Sequence, residues 1–256
     1  MTYKLGKRPA RDDAIKFKLS RYADSTVLPP AAPAFGHDAL LGAKAWLMLG
    51  NDLYGDCVWA GAAHETMMLA REAGTAVTFA DADVLGDYAA VTGFDPARPQ
   101  TDQGTDMQAA ADYRRKTGIV DAGGRRHAVA AYLALEPGNL VHLYQATYLF
   151  GAVGVGLELP ESAFDQTDHG QTWDVVPRAP NAGGHYVPLV GRRADGLHVV
   201  TWGALQIMTE AFLKTYCDEA ITYVSQDCLV AQKSPEGFDY AALVRDLAAL
   251  GGTRTS

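Results

Sequence analysis

A polar loop, Asn51-Asp52-Leu53-Tyr54-Gly55-Asp56, delivers Cys57 to the first position of a segment with helical apolar spacing: Val58, Ala62, Met67, Leu69 and Ala70, stopped by Gly74. A cysteine at a helix N-terminus faces unpaired backbone N–H groups and the positive end of the helix dipole, and both favour the thiolate. Asn51 lies six residues upstream, and Gly183-Gly184-His185 opens a strand-like run far downstream. A cysteine, a distant histidine and a nearby amide donor are the parts of a thiol acyl-transfer site. Each also has a plainer reading: a small buried hydrophobe for Cys57, a satisfied core histidine for His185, a turn for Asn51-Asp52.

Charge and composition narrow the partners. A formal charge of −8 argues against nucleic acid and anionic membranes. No apolar run approaches the roughly 20 residues of a membrane span. Met1 to Arg21 is basic and polar with no apolar stretch, so no secretory signal is expected and the protein is assigned to the cytoplasm. Cys57, Cys217 and Cys228 are too few for a disulfide framework; Cys217 and Cys228 are expected to be inert buried thiols rather than a pair. At 256 residues the chain is expected to form one main domain. We divide it into an extended arm over 1–45, marked by Leu28-Pro29-Pro30-Ala31-Ala32-Pro33, a body over 46–226, and a C-terminal helix and tail over 227–256. The arm is expected to lie over the body or to reach a protein partner or a second copy.

Helices are predicted from Cys57 to Ala73, Asp81 to Val91, Asp106 to Lys116 (capped by Thr105 or Asp106), Leu140 to Phe150, Thr209 to Tyr216 and Phe238 to Leu250. Strands are predicted at His127–Leu135, Val153–Leu159, Tyr186–Gly191, Leu197–Trp202 and Ala220–Val224, with an Asp195-Gly196 hairpin signal between the third and fourth. Helices dominate the first half and strands the second. That order predicts an α+β protein whose helical lobe faces a sheet lobe.

Other motifs fail on spacing. His64-Glu65 lacks a second ligand, since the i+4 position is Met68. His64 also lies about 10 Å along the helix from Cys57, too far to be its base. Asp81, Asp83 and Asp87 read as a solvated helix face, and Asp102, Asp106 and Asp112 lack calcium-loop spacing. The glycines at 151–156 precede a strand instead of following one, unlike a dinucleotide loop. No cofactor or metal is expected.

Four blocks in order resemble the papain-like cysteine peptidases across roughly residues 45–226. They are the Asn51-to-Cys57 loop, Gly104 through Gly118-Ile119, Leu149-Phe150-Gly151-Ala152-Val153-Gly154, and Gly184-His185-Tyr186-Val187-Pro188-Leu189-Val190-Gly191 followed by Val199-Val200-Thr201-Trp202-Gly203. The resemblance implies a papain-like fold, with the cysteine on a central helix packed against an antiparallel sheet. It implies Cys57 as nucleophile, His185 as ion-pair partner and proton donor, Asn51 with the Cys57 N–H as oxyanion hole, and Trp202 as a shield over the imidazole. Two positions depart from the family. Asn51 stands for a glutamine and is one methylene shorter. Val200 stands where the family has the asparagine that orients the imidazole. Thr201 is the adjacent substitute, although strand alternation is expected to aim it at the opposite face.

The expected function is therefore a cysteine hydrolase of peptide or amide bonds working through a Cys57–His185 dyad. The alternative, motivated by Val200 and the long arm, is an inactive papain-like protein with a binding or assembly role.

Overall fold

The computed structural model describes residues 3–11, 18–21, 28–41 and 46–230. The helix expected over 238–250 lies outside the described residues. Helices α1 (Cys57–Glu72), α2 (Asp81–Thr92) and α3 (Met107–Lys116) precede most of the strands, and α4 (Leu140–Phe150), α5 (Ser162–Asp168), α6 (Glu210–Tyr216) and α7 (Gln226–Val230) are distributed among them. Side-chain caps start three of these helices where the sequence offers Asx or Thr. Asp106 accepts from the Ala109 N–H, Asn139 from His142 and Thr209 from Phe212.

The strands are β1 (Phe35–Gly36), β2 (Ile119–Val120), β3 (Arg126–His127), β4 (Val129–Leu135), β5 (Val153–Pro160), β6 (Asn181–Arg193), β7 (Gly196–Thr201), β8 (Ala204–Met208) and β9 (Cys217–Ser225). All but β2 and β3 form one antiparallel sheet in the order β4-β9-β5-β6-β7-β8, with β1 added to β6. Strand β6 runs longer than predicted because its glycine-rich start also pairs with β5.

Alternation along β6 and β7 sends side chains into two cores. Val187, Leu189, Val199 and Trp202 join α4 and α6 residues such as Leu143 and Phe212. Tyr186, Val190 and Val200 join the other core, which holds Cys57, Trp59 and Met68 of α1. The sheet is thus covered on both faces, with α1–α3 forming the helical side that meets β6.

A buried polar network fixes that junction. Arg114 of α3 donates to Glu65 of α1 at 2.7 Å, and the Tyr186 hydroxyl of β6 donates to the same carboxylate at 2.6 Å. The Tyr186 ring needs room, and Gly61 supplies it: a Cβ there would stand 2.5 Å from the ring. Asp87, expected on a solvated face, is instead buried. It accepts from the Tyr113 hydroxyl, the Val120 N–H and Arg126, tying α2 to α3 and β2. Cys217 and Cys228 are free thiols, as is Cys57. Among the described residues no helix is long and apolar enough to cross a membrane, and no cluster of His, Cys, Asp or Glu is arranged to hold a metal ion.

Candidate active site

Cys57 is the first residue of α1, as its sequence context predicts. The loop before it is braced by Asp102, which accepts from the Gly55 N–H at 3.0 Å and from the Tyr88 hydroxyl at 2.7 Å. Sequence reasoning gave Asp102 no role, because an isolated aspartate in a Pro- and Gln-rich loop carries no periodic signal. Burial decides the state of the thiol. It pushes the Cys57 pKa up to about 12, against the opposing pull of the Tyr186 and Gly6 backbone amides. The neighbouring Asp56 carboxyl is held well above the ordinary carboxylate range, also by burial, and its charge pushes the Cys57 thiol further up.

His185 lies on β6, immediately before Tyr186, and is fully buried. Its Nε2 is 2.7 Å from the Thr201 hydroxyl. This overturns the expectation that Thr201 faces away. His185, Val187 and Leu189 point to one side of the sheet, and Val199 and Thr201 point to that same side. Val200, the position matched to the family's asparagine, belongs to the opposite face with Tyr186 and α1. The count from the tryptophan is misleading because Trp202 leaves the strand. Trp202 and Gly203 both have positive φ, 46° and 74°, and close a two-residue turn between β7 and β8. That turn lays the indole over the imidazole, with ring centroids 4.6 Å apart and planes 22° from parallel.

The Nδ1 of His185 has no hydrogen-bond partner among the described residues. Burial pulls the imidazole pKa down to about 3. Burial thus acts on both groups against the thiolate–imidazolium pair expected from the sequence, raising the thiol and lowering the imidazole.

Residues 3–8 of the arm run through the site. The Gly6 and Lys7 N–H groups donate to the Gly184 carbonyl at 3.2 and 3.0 Å, the Thr105 N–H donates to the Gly6 carbonyl at 2.7 Å, and the Arg8 N–H donates to the Thr105 carbonyl at 2.9 Å. Lys4 closes the other end. Its carbonyl accepts from Asn51 Nδ2 and Trp202 Nε1, both at 3.3 Å. The Asn51 amide also donates to the Tyr54 carbonyl at 3.0 Å, so both of its N–H groups are engaged. Only a residue without a side chain passes over the cysteine loop: a Cβ on Gly6 would stand 1.8 Å from the Gly55 carbonyl oxygen. Asn51, Cys57, His185, Thr201 and Trp202 are thus gathered around one stretch of extended backbone.

No protein-family model matches the sequence, and no curated protein does. Solved structures do match in shape. Xylellain, a cysteine protease from Xylella fastidiosa, superposes with a TM-score of 0.62 at 11% identity over 87% of this chain and 96% of its own. Procathepsin B S9 from Trypanosoma congolense gives 0.59 at 10% identity over 87% of each chain. A Carica candamarcensis cysteine protease, in complex with E-64, gives 0.54 at 11% identity over 75% of this chain and 98% of its own. The chain has the papain-like fold.

Proposed function

We propose that this papain-like chain is a cysteine-dependent hydrolase of peptide or amide bonds, held closed by its own arm. The observation that carries the reading is the 2.7 Å contact between His185 Nε2 and Thr201, which leaves Nδ1 available on a histidine next in sequence to the residue that meets Cys57. Cys57 supplies the attacking sulfur once the proton passes to His185. The imidazolium then gives that proton to the leaving nitrogen. The Cys57 N–H and the Asn51 amide face the developing oxyanion after Lys4 has left, each donor contributing roughly 3–4 kcal/mol. Thr201 orients the imidazole in place of an asparagine, and Trp202 keeps water from its face. A peptide substrate takes the backbone positions that residues 3–8 occupy. The alternative of an inactive assembly protein drew on Val200 and on the long arm; the Thr201 contact to His185 weakens the first motive, and in the present reading the arm closes the site instead of reaching a partner.

The test uses full-length protein carrying Gly6→Val, whose side chain cannot lie against Gly55. It is expected to hydrolyse a mixed-sequence peptide pool, and adding Cys57→Ala is expected to return hydrolysis to background. Hydrolysis that persists without Cys57, or none once the arm is displaced, would sink the reading.

A further inference from the structure

We infer that the recess filled by the Lys7 side chain is a specificity pocket for a lysine or arginine of the substrate, and that the arm closes the site by seating its own lysine there; the inference rests on the peptide-hydrolase reading. Lysine is among the side chains least often buried. Lys7 is nevertheless 0% exposed in its side chain, and its ammonium donates to Asp218 Oδ2 at 2.7 Å and to the Arg8 carbonyl at 3.1 Å. The walls of the recess fit an aliphatic stem. A Cβ on Gly156 would stand 2.2 Å from Lys7 Cε and 3.0 Å from the Met107 sulfur, so the stem fills the space left by that glycine. The end of the recess is acidic, with Glu219 next to Asp218. Burial of the Glu219 carboxyl pushes its pKa up to about 7, while Lys7 pulls it down. Apolar walls with a carboxylate at the end complement a long basic side chain and nothing shorter or neutral.

The contacts nearest the recess are main-chain contacts, and the side chains that touch the body farther along the arm, Tyr3 on Asp168 and Arg11 on Asp106, stand at exposed positions. Gly184 and Thr105 bind the arm only through main-chain groups, which any extended peptide offers. The side chain in the recess is the part a substrate can vary. It belongs to the residue following Gly6, which lies against Gly55 two positions before Cys57, so the pocket adjoins the loop that carries the nucleophile.

The experiment measures binding separately from turnover. Full-length Gly6→Val/Cys57→Ala protein is titrated with a fluorescein-labelled peptide of residues 3–11, and with the same peptide carrying norleucine in place of Lys7 alone. The lysine peptide is expected to bind at least about tenfold tighter, as a charge-assisted bond in a partly buried pocket requires, and Asp218→Asn is expected to erase the difference. Lys7→Ala/Cys57→Ala protein, a milder way to empty the recess, is expected to give the same ranking. Equal binding of the two peptides, a preference that survives Asp218→Asn, or no binding of either peptide to both variants overturns the pocket. A lysine preference in these variants without turnover in the Gly6→Val enzyme would retain the pocket and refute the hydrolase.

Discussion

Cys57 shows which of two opposed effects wins at a single residue. A helix N-terminus favours a thiolate by about 0.3–1 kcal/mol, up to about 2 in partly buried settings. Removing a charge from water costs several kcal/mol. With the arm seated the second effect dominates, and the thiol stays protonated. Iodoacetamide labelling of Cys57 in the unaltered chain is therefore expected to stay slow through neutral pH and to accelerate only as pH approaches 12, whereas the Gly6→Val chain labels readily near neutrality. Identical pH profiles for the two chains would contradict this. The location of Cys57, Asn51 and His185 was legible from spacing alone. Thr201 was legible as the residue adjacent to the asparagine position, but the face it takes was not, because that position was counted back from Trp202. A residue at positive φ does not share the alternation of the strand before it, so the count landed one residue away on Val200.

Among the elements, α1, α3 and β6 depend on one another through Glu65, Arg114 and Tyr186. Breaking a buried pair from one side leaves an uncompensated charge, which costs about 3–5 kcal/mol. Arg114→Met is thus expected to lower the melting temperature by on the order of 10 °C, and adding Glu65→Leu to recover most of that loss, as read by calorimetry. If the double variant melts below the single, the network stabilises by more than mutual neutralisation. The long periodic helices were visible in the sequence, and so were the apolar strands. Helix α5 was not, because Ala163 is its one buried residue and a seven-residue helix with so small an apolar face has no period to detect. Strand β8 was hidden behind Trp202-Gly203, a turn recognisable only once a bulky residue is allowed positive φ. Tertiary room left by Gly61 for a tyrosine 125 positions later in the chain leaves no local trace.

At the scale of the whole molecule, ionisable groups set an upper pH limit on the fold. Cys57, Cys217 and Cys228 are pushed by burial from 9.0 to about 12, and the Tyr3 and Tyr132 hydroxyls from 10.0 to about 12. Groups whose pKa is raised in the native state contribute stability that is intact below their unfolded values and is lost as pH climbs toward the native ones. Unfolding by urea is accordingly expected at a steadily lower midpoint from pH 9 upward, and a constant midpoint between pH 8.5 and 10.5 would refute the assignment. The path of residues 3–8 over the body left no sign in the sequence, since backbone pairing with Gly184 and Thr105 has no side-chain signature. The buried pair that anchors this arm joins residues 211 positions apart. At roughly 5–20 residues per second of synthesis, Lys7 leaves the ribosome about 10–40 s before its counterion exists. Both Cys57 and His185 are made in that interval. A nascent chain therefore carries its nucleophile and base before it can sheathe them, and the sheath fits only when β9, nearly the last strand made, has arrived.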